Sequence, residues 1–413
     1  MNTEHEAGIV IDNFPAATRS LRIACVTETY PPEVNGVSLT VARMVEGLHE
    51  RNHDVQLVRP RQDGTATPER GDRFHEVLLR GVPIPRYPSL RMGMPSKRTL
   101  VKLWTLQRPD VVHIATEGPL GWSALQAALH LKLPVCSDFR TNFHNYTQHY
   151  GIGWLRKSII AYLRKFHNRT LCTMVPTENL RRELQAEGFQ RLRVVTRGVD
   201  TRQFDPARRS AALRASWGAN DDTLVVCCVG RLAREKNLEV LIDAFRHIER
   251  RVASARLVLV GAGPMEQELR SSFPDIVLAG QRRGDDLAAH YASADLFLFP
   301  SLTETFGNVT TEAMASGLPI VAFDYAAAAQ LIEQDLHGVR VPFGDARAFA
   351  EAALELAFDP ARRQRLGGAA RHRALQLDWD AIVQRFEEVL HAVIREATNR
   401  RELPAGVAQR LPA

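Results

Sequence analysis

The chain has 413 residues, too many for one ordinary core, and the usual span of roughly 100–200 residues per domain predicts two domains. Its 45% hydrophobic and 24% charged residues are the balance of a globular protein, which sets aside both a disordered chain and a membrane-spanning one. The 53 Lys and Arg against 47 Asp and Glu give a formal charge of +6, which favours anionic partners; with no aromatic-interleaved basic tract, zinc spacing or helix-turn-helix signature, nucleic acid is not among them.

Residues 1–19 contain acids, His5 and Pro15 but no basic start followed by an apolar run, so they read as a loose tail and not as an export signal. No later segment reaches the ~18 uninterrupted apolar residues of a spanning helix. A cytoplasmic protein is expected, touching a membrane at its surface if at all. Cys25, Cys136, Cys172, Cys227 and Cys228 mostly fall in apolar, strand-like runs without C-x-x-C spacing, and reduced, buried thiols are expected.

Short β-rich apolar runs at 21–27, 53–58, 111–114, 133–137 and 171–175 alternate with stretches of helical periodicity, and a second set follows at 224–229, 256–260, 276–279, 296–299 and 319–323. That alternation predicts βαβ units and parallel sheets. Between the sets, residues 197–209 hold Gly198, Asp200, Asp205 and Pro206 and lose the apolar period, as a hinge would. The fold class expected is α/β, with two Rossmann-like doubly wound domains facing across a cleft. Ligands of such sheets bind outside the carboxyl ends of the strands.

Loops after these runs carry the candidate chemistry. After the first run, two prolines extend the chain at Pro31 and Pro32, and Gly36 lets the backbone approach a ligand. Asn35 precedes it, a residue that tolerates a left-handed backbone while adding a side chain to the pocket. His113 and Glu117 lie at the end of the run 111–114 and are candidates for the cleft wall. The segment from Ser137 to Tyr146 contains Arg140, which holds its proton under ordinary conditions and so can only bind or stabilise negative charge, and His144. The stretch 154–171 spaces Leu155, Ile159, Ile160, Leu163 and Phe166 as a helix, with Arg156, Lys157, Arg164, Lys165 and Arg169 among them. Two readings stand: a helix lying against anionic lipid, or a sheet-covering helix with a basic outer face.

In the second set, Gly230 permits a tight turn after a strand, and Arg231 and Lys236 supply cations at a helix mouth, where a diphosphate leaving group needs neutralisation. The turn Gly261-Ala-Gly263-Pro264 follows the next strand, but Pro264 and the missing third glycine argue against a dinucleotide loop. The run 296–299 is followed by Glu304, Phe306, Gly307, Asn308, Val309 and Glu312, which sets two carboxylates beside a helix N-terminus. There the free N–H groups suit a phosphate while a carboxylate accepts bonds from a sugar or ribose diol.

With these residues in view, the segment from Glu304 to Glu312 resembles the E-x7-E motif of the family 4 glycosyltransferases, retaining enzymes of the GT-B fold that include bacterial glycolipid mannosyl- and sulfoquinovosyltransferases. The similarity runs from about residue 21 to 395. It implies that Glu304 contacts the transferred sugar and Glu312 the ribose, that Arg231 and Lys236 bind the diphosphate, and that Gly36, Gly230, Gly261, Gly263, Phe306, Gly307, Asn308 and Val309 belong to the donor site. Gln281 and Arg282 occupy the place of base contacts. Asn35, His113 and Glu117 fall on the acceptor side. Many relatives carry a His at the place of Arg140, so His144 is the candidate to replace it, and Arg140 and His144 join Glu304, Arg231 and Lys236 as catalytic candidates.

The resemblance further implies domains at 20–197 and 198–377, a helix at about 378–398 returning to the first lobe, and a tail at 399–413. Asp378-Trp379-Asp380 imitates a metal-binding D-x-D but stands where a helix cap is expected. Where relatives have a Gly-Gly turn and a Glu, this chain reads Asp324-Tyr-Ala-Ala-Ala-Ala-Gln330, a stiffer and less acidic loop. The expected activity is retaining, metal-independent transfer of a hexosyl group from a UDP- or GDP-sugar to a lipid or glycan hydroxyl, with no cofactor. A nucleotide-sugar epimerase or phosphorylase on the same fold, and a non-catalytic nucleotide-sugar-binding protein, are the alternatives.

Overall fold

The computed structural model describes residues 19–33, 35–62, 67–84, 87–140 and 156–402. Its first lobe holds β1 (Arg22–Val26), β2 (Asp54–Pro60), β3 (Arg70–Gly71), β4 (Phe74–Leu79), β5 (Gly81–Ile84), β6 (Tyr87–Gly93), β7 (Val111–Ile114), β8 (Val135–Asp138), β9 (Cys172–Val175) and β10 (Leu192–Val194). An eight-stranded sheet runs β10-β9-β8-β7-β1-β2-β4-β3, with β5 and β6 paired apart as a hairpin. Every pairing in that sheet is parallel except β3 with β4.

The second lobe holds β11 (Val225–Val229), β12 (Arg256–Val260), β13 (Val277–Gly280), β14 (Leu296–Phe299), β15 (Ile320–Phe323) and β16 (Gly338–Val341), ordered β13-β12-β11-β14-β15-β16. In both sheets the first strand sits inside, with the order reversing beside it, between β1 and β7 and between β11 and β14. These are the crevices where doubly wound sheets receive ligands. The expected fold class is present.

Strands buried on both faces read as unbroken apolar runs, as Val225–Val229 does, because helices cover both sides. The helices show the matching period. In Leu238–Glu249, Leu238, Leu241, Ile242, Phe245 and Ile248 are buried, Glu239 lies in the first turn, and Arg246 and His247 lie in the last, as the helix dipole favours. The strands the sequence did not announce are β3, β4, β5, β6, β10 and β16. They are strands at or next to a sheet edge, or a hairpin, whose mixed polarity or short length carries little period; Phe74–Leu79 alternates poorly and Leu192–Val194 has three residues.

All five cysteines are free and buried. The terminal helix Trp379–Glu402 crosses back to the first lobe, where Ile382, Val383, Phe386, Leu390 and Val393 join the core with Val41, Val45 and Leu48 of the helix Gly36–Glu50. The two chain crossings between the lobes lie side by side: Val199 and Asp378 form a parallel bridge, and the Val199 N–H donates to the Leu377 carbonyl at 3.0 Å. The hinge segment is tied down, since Arg371 donates to the carbonyls of Phe204 and Ala315, both at 2.7 Å, and to Asp205 at 2.5 Å. Asp378 accepts from the Asp380 N–H at 3.0 Å and the Thr201 hydroxyl at 3.2 Å, which makes it a cap and hinge tie.

Gly198 lies flat on the Trp379 ring, and a Cβ there would stand 2.7 Å from a ring carbon. Gly198→Ala is therefore expected to destabilise the protein by about 1–3 kcal/mol through overpacking, read as a lowered urea midpoint with an unchanged slope.

Candidate active site

The second-lobe site grows from three neighbouring strand ends. After β11 the chain turns at Gly230 and reaches Arg231 and Lys236; after β14 it passes Ser301 and Glu304 to Gly307 and the helix Asn308–Ala315. Lys236 Nζ and a Glu304 carboxylate oxygen form an ion pair, with both side chains 16% exposed. Ser301 Oγ donates to the same carboxylate at 2.8 Å, the Tyr325 hydroxyl donates to the Glu304 carbonyl at 2.9 Å, and Lys236 lies 5.6 Å from the centre of the Phe299 ring. The Leu302 N–H donates to the Glu235 carbonyl at 3.2 Å and ties the two loops together. Arg231 is 56% exposed and pairs with Glu235 at 3.5 Å.

Gly307 begins the helix in a left-handed conformation, φ 94°, and no side chain caps it. A Cβ on it would meet Glu304 Cγ at 3.4 Å, so Glu304 packs against the helix N-terminus. Glu312 lies four residues beyond Asn308, roughly 6 Å along the axis. Asn308, Thr311 and Glu312 line one wall of a cavity of about 510 Å³ between the lobes, with Gln281 and Arg282 on its second-lobe side and Thr40 and Arg43 on its first-lobe side. Glu312 accepts from the Tyr291 hydroxyl at 2.8 Å. Burial pushes its carboxyl up to about 7, against the lowering effect of that hydrogen bond. The arrangement sets a positive helix end between one carboxylate paired to a lysine and another poised near neutrality.

The lobes touch across this site. Arg43 reaches Asp200 at 2.9 Å, the Glu178 N–H donates to Gln330 Oε1 at 3.0 Å, and Gly36 lies against Asn308, whose Nδ2 would stand 3.6 Å from a Cβ there.

Several predicted residues stand elsewhere. Asn35 is not left-handed: its backbone is extended, φ −150°, and its side chain caps the helix Gly36–Glu50 by accepting from the Val37 and Ser38 N–H groups at 3.1 and 2.8 Å, away from the pocket. His113 is buried in the first lobe against the ring of Phe386, 4.8 Å between centroids, and 3.4 Å from Asp138. Glu117 faces His167 at 3.2 Å within a buried network that continues to Ser137. Phe306 is a core side chain, 1% exposed. Gly261 and Gly263 serve backbone packing, since a Cβ on Gly261 would stand 1.8 Å from the Gly230 carbonyl oxygen and one on Gly263 2.3 Å from that of Leu232.

His144 lies outside the described residues. The helix Arg156–His167 buries Ile160, Leu163 and Phe166 in its own lobe and exposes Lys157, Arg164 and Lys165, the sheet-covering reading. The departing loop 324–330 holds Ala326 at φ 51°, a left-handed alanine where a glycine would be unstrained.

Arg140 is buried and paired to Asp138. Burial alone would raise the Asp138 carboxyl, but Arg140 and then His113 hold it well below the carboxylate range. Sequence reasoning missed Tyr291, Tyr325, Ser301 and Arg197. Arg197 was read as the first residue of the hinge, yet it is 7% exposed and its guanidinium lies 5.7 Å from the Phe306 ring centre. Arg197 follows the unannounced strand β10 and stands in no motif, so the sequence carried no signal for it.

Two facing doubly wound lobes with such a cleft define the architecture of nucleotide-sugar enzymes. Residues 34–203 match the family described as Glycosyltransferase Family 4, and residues 223–359 match Glycosyl transferases group 1. The chain is 34% identical over 367 residues to the GDP-mannose-dependent alpha-mannosyltransferase of Mycobacterium tuberculosis (strain CDC 1551 / Oshkosh), covering 88% of this chain and 94% of that one. It is 30% identical to the sulfoquinovosyl transferase SQD2 of Arabidopsis thaliana, covering 87% and 71%. Among solved structures, the sucrose-phosphate synthase of Thermosynechococcus elongatus superposes with a TM-score of 0.73 at 20% identity, covering 92% of this chain and all 100% of that chain. The chain belongs to the family 4 glycosyltransferases and is a glycosyltransferase of the GT-B fold.

Because Glu312 carries its proton below about pH 7, a ligand diol that bonds to its ionised form must displace that proton there. Affinity for UDP or GDP is expected to rise with pH to about 7 and level off above it, falling about tenfold per unit below. Titration calorimetry should show this slope, and Glu312→Gln should flatten it.

Proposed function

We propose that the protein moves a hexosyl group from a nucleotide-diphosphate sugar to a hydroxyl of a lipid or glycan, with retention of configuration and without a metal. The observation that carries this reading is the Lys236–Glu304 pair set against the N-terminus of the helix that presents Glu312 to the interlobe cavity. The Mycobacterium relative is named for GDP-mannose, and a solved neighbour from Anabaena, with a TM-score of 0.70 and 18% identity, was crystallised with UDP and glucose. Both names support a nucleotide-sugar donor.

In the proposed arrangement Arg231, Lys236 and the open N–H groups of Asn308 and Val309 meet the diphosphate. Glu312 accepts from the ribose, Gln281 and Arg282 lie beside the base, and Glu304 holds the sugar. Donor phosphate competes with Glu304 for Lys236, so binding releases the carboxylate toward sugar hydroxyls. The acceptor oxygen then bonds to the anomeric carbon on the face the diphosphate leaves, the carbon–oxygen bond to phosphate breaks, and the acceptor proton passes to a phosphate oxygen. Cations and amide dipoles fixed in place stabilise the charge that develops on the leaving group. Closure of the lobes on the bound donor then excludes water and aligns the acceptor. In this reading Lys236 and Arg231 supply the positive charge that a metal ion would otherwise bring to the diphosphate.

The acceptor is proposed to be reached from the cytoplasmic face of a membrane. No helix among the described residues is long and apolar enough to cross one, and the basic outer face of Arg156–His167 supplies surface charge for anionic lipid.

A thermal-shift comparison of UDP, GDP and ADP should identify the base by the largest stabilisation. With that donor, Lys236→Ala is expected to lower kcat/KM for transfer about 10²–10³-fold. Product formed without an acceptor, or cleavage that requires phosphate, would instead mark an epimerase or a phosphorylase. Lys157→Glu with Lys165→Glu should weaken sedimentation with vesicles containing phosphatidylglycerol, most clearly at low salt, and leave nucleotide binding unchanged.

A further inference from the structure

Between β15 and β16, where relatives have a Gly-Gly turn and a Glu, this chain builds the short helix Ala326–Leu331. Tyr325 stands at its N-cap with an extended backbone, φ −152°, and its side chain does not cap the helix. The ring lies against Phe343, 5.2 Å between centroids, and the hydroxyl donates to the Glu304 backbone carbonyl at 2.9 Å. Two residues on, the Ala327 N–H donates to the Phe306 carbonyl at 2.7 Å. The loop that carries Glu304 is thus held from this side at both ends of the stretch 304–306.

The far end of the same helix reaches the first lobe. Gln330 Oε1 accepts from the Glu178 N–H at 3.0 Å, one of the first-turn donors of the helix Glu178–Ala186 that lack a partner within their own helix. Burial, then Glu183 of that helix and Glu304, raise the Tyr325 hydroxyl above its ordinary value, so it stays protonated and donates at neutral pH. A displacement of about 1 Å in a group that meets the reacting atoms costs on the order of 10²-fold in rate. A single bond that adds little to stability can therefore matter for turnover.

We infer that Tyr325 is a positioning residue for Glu304: its hydroxyl fixes the backbone from which the Glu304 carboxylate reaches the transferred sugar, and Gln330 ties that hold to the contact between the lobes. A glycine turn has no side chain to supply the hydroxyl, so the hold belongs to the sequence Tyr325 to Gln330 of this chain. The inference rests on the glycosyl-transfer reading, in which Glu304 holds the sugar.

Tyr325→Phe keeps the ring against Phe343 and removes only the donor. The variant is assayed with the nucleotide sugar selected by thermal shift and, in mixed micelles, a diacylglycerol carrying a hexose or a hexuronic acid, whichever the wild type uses. It is expected to lower kcat about 3- to 10-fold and to leave KM for the donor unchanged. Affinity for UDP or GDP, which carry no sugar for Glu304 to hold, should also be unchanged by titration calorimetry. Gln330→Met, which removes the acceptor, should lower kcat as well, and Gln330→Glu, which keeps an acceptor, should restore part of it. In the double variant Tyr325→Phe with Gln330→Met the loss should match that of Tyr325→Phe alone, because both act through one hold.

An unchanged kcat in Tyr325→Phe would overturn the proposal. So would a parallel loss of nucleoside diphosphate affinity and kcat, the mark of a general loosening of the lobe, or losses that multiply in the double variant. No transfer by the wild type from any donor would instead defeat the transfer reading, and this inference with it.

Discussion

Lys236 and Glu304 hold one another where the loops after β11 and β14 meet, and the rest of the second lobe is arranged to make that contact possible. Both groups are largely out of water, so each needs an opposite charge. Their loops must approach closely, and the Gly230 and Gly261 turns nest with no room for a side chain between them. The helix Asn308–Ala315 must begin beside Glu304, which the left-handed Gly307 permits. A ligand with negative charge and hydroxyls can substitute for both members of the pair at once, so the pair presents the charges that such a ligand would use.

The two carboxylates of the motif differ in kind. Glu304 is tied to a cation and a hydroxyl, whereas Glu312 has a tyrosine hydroxyl and burial around it, which brings its proton close to neutrality. Their eight-residue separation in sequence becomes two positions flanking one helix end. The first lobe shows the opposite economy of charge, with buried Arg140 paired to Asp138 and buried Arg197 feeling the same aspartate without a direct bond to it.

Much of this was legible in the residues. The long apolar runs gave the inner strands of both sheets, because a strand covered on both faces has no polar alternation to confuse it. Turn glycines and nearby charges marked the loops after β11, β12 and β14 for the same reason: few sequences put Gly, Arg and Lys directly behind a buried strand without using them. Outer strands such as Phe74–Leu79, second from the sheet edge, escaped because half-exposed, mixed-polarity segments have no distinctive period. Side-chain direction was the larger loss. His113 sits at a strand end as a cleft residue would, yet it points beneath Phe386, a residue 273 positions later that the sequence cannot bring near. Tyr291 and Arg197 were passed over for the converse reason, since their partners Glu312 and Phe306 come from other elements.

The side-by-side crossings at Val199 and Asp378 have a mechanical consequence. One strand between two bodies is a swivel that permits twist about its own axis. Two strands bonded edge to edge behave as a door hinge with two pins: they allow swinging and resist torsion. Each opening and closing would then return the lobes along a single arc, so that the wall bearing Arg197 meets the wall bearing Glu304 in the same register every time.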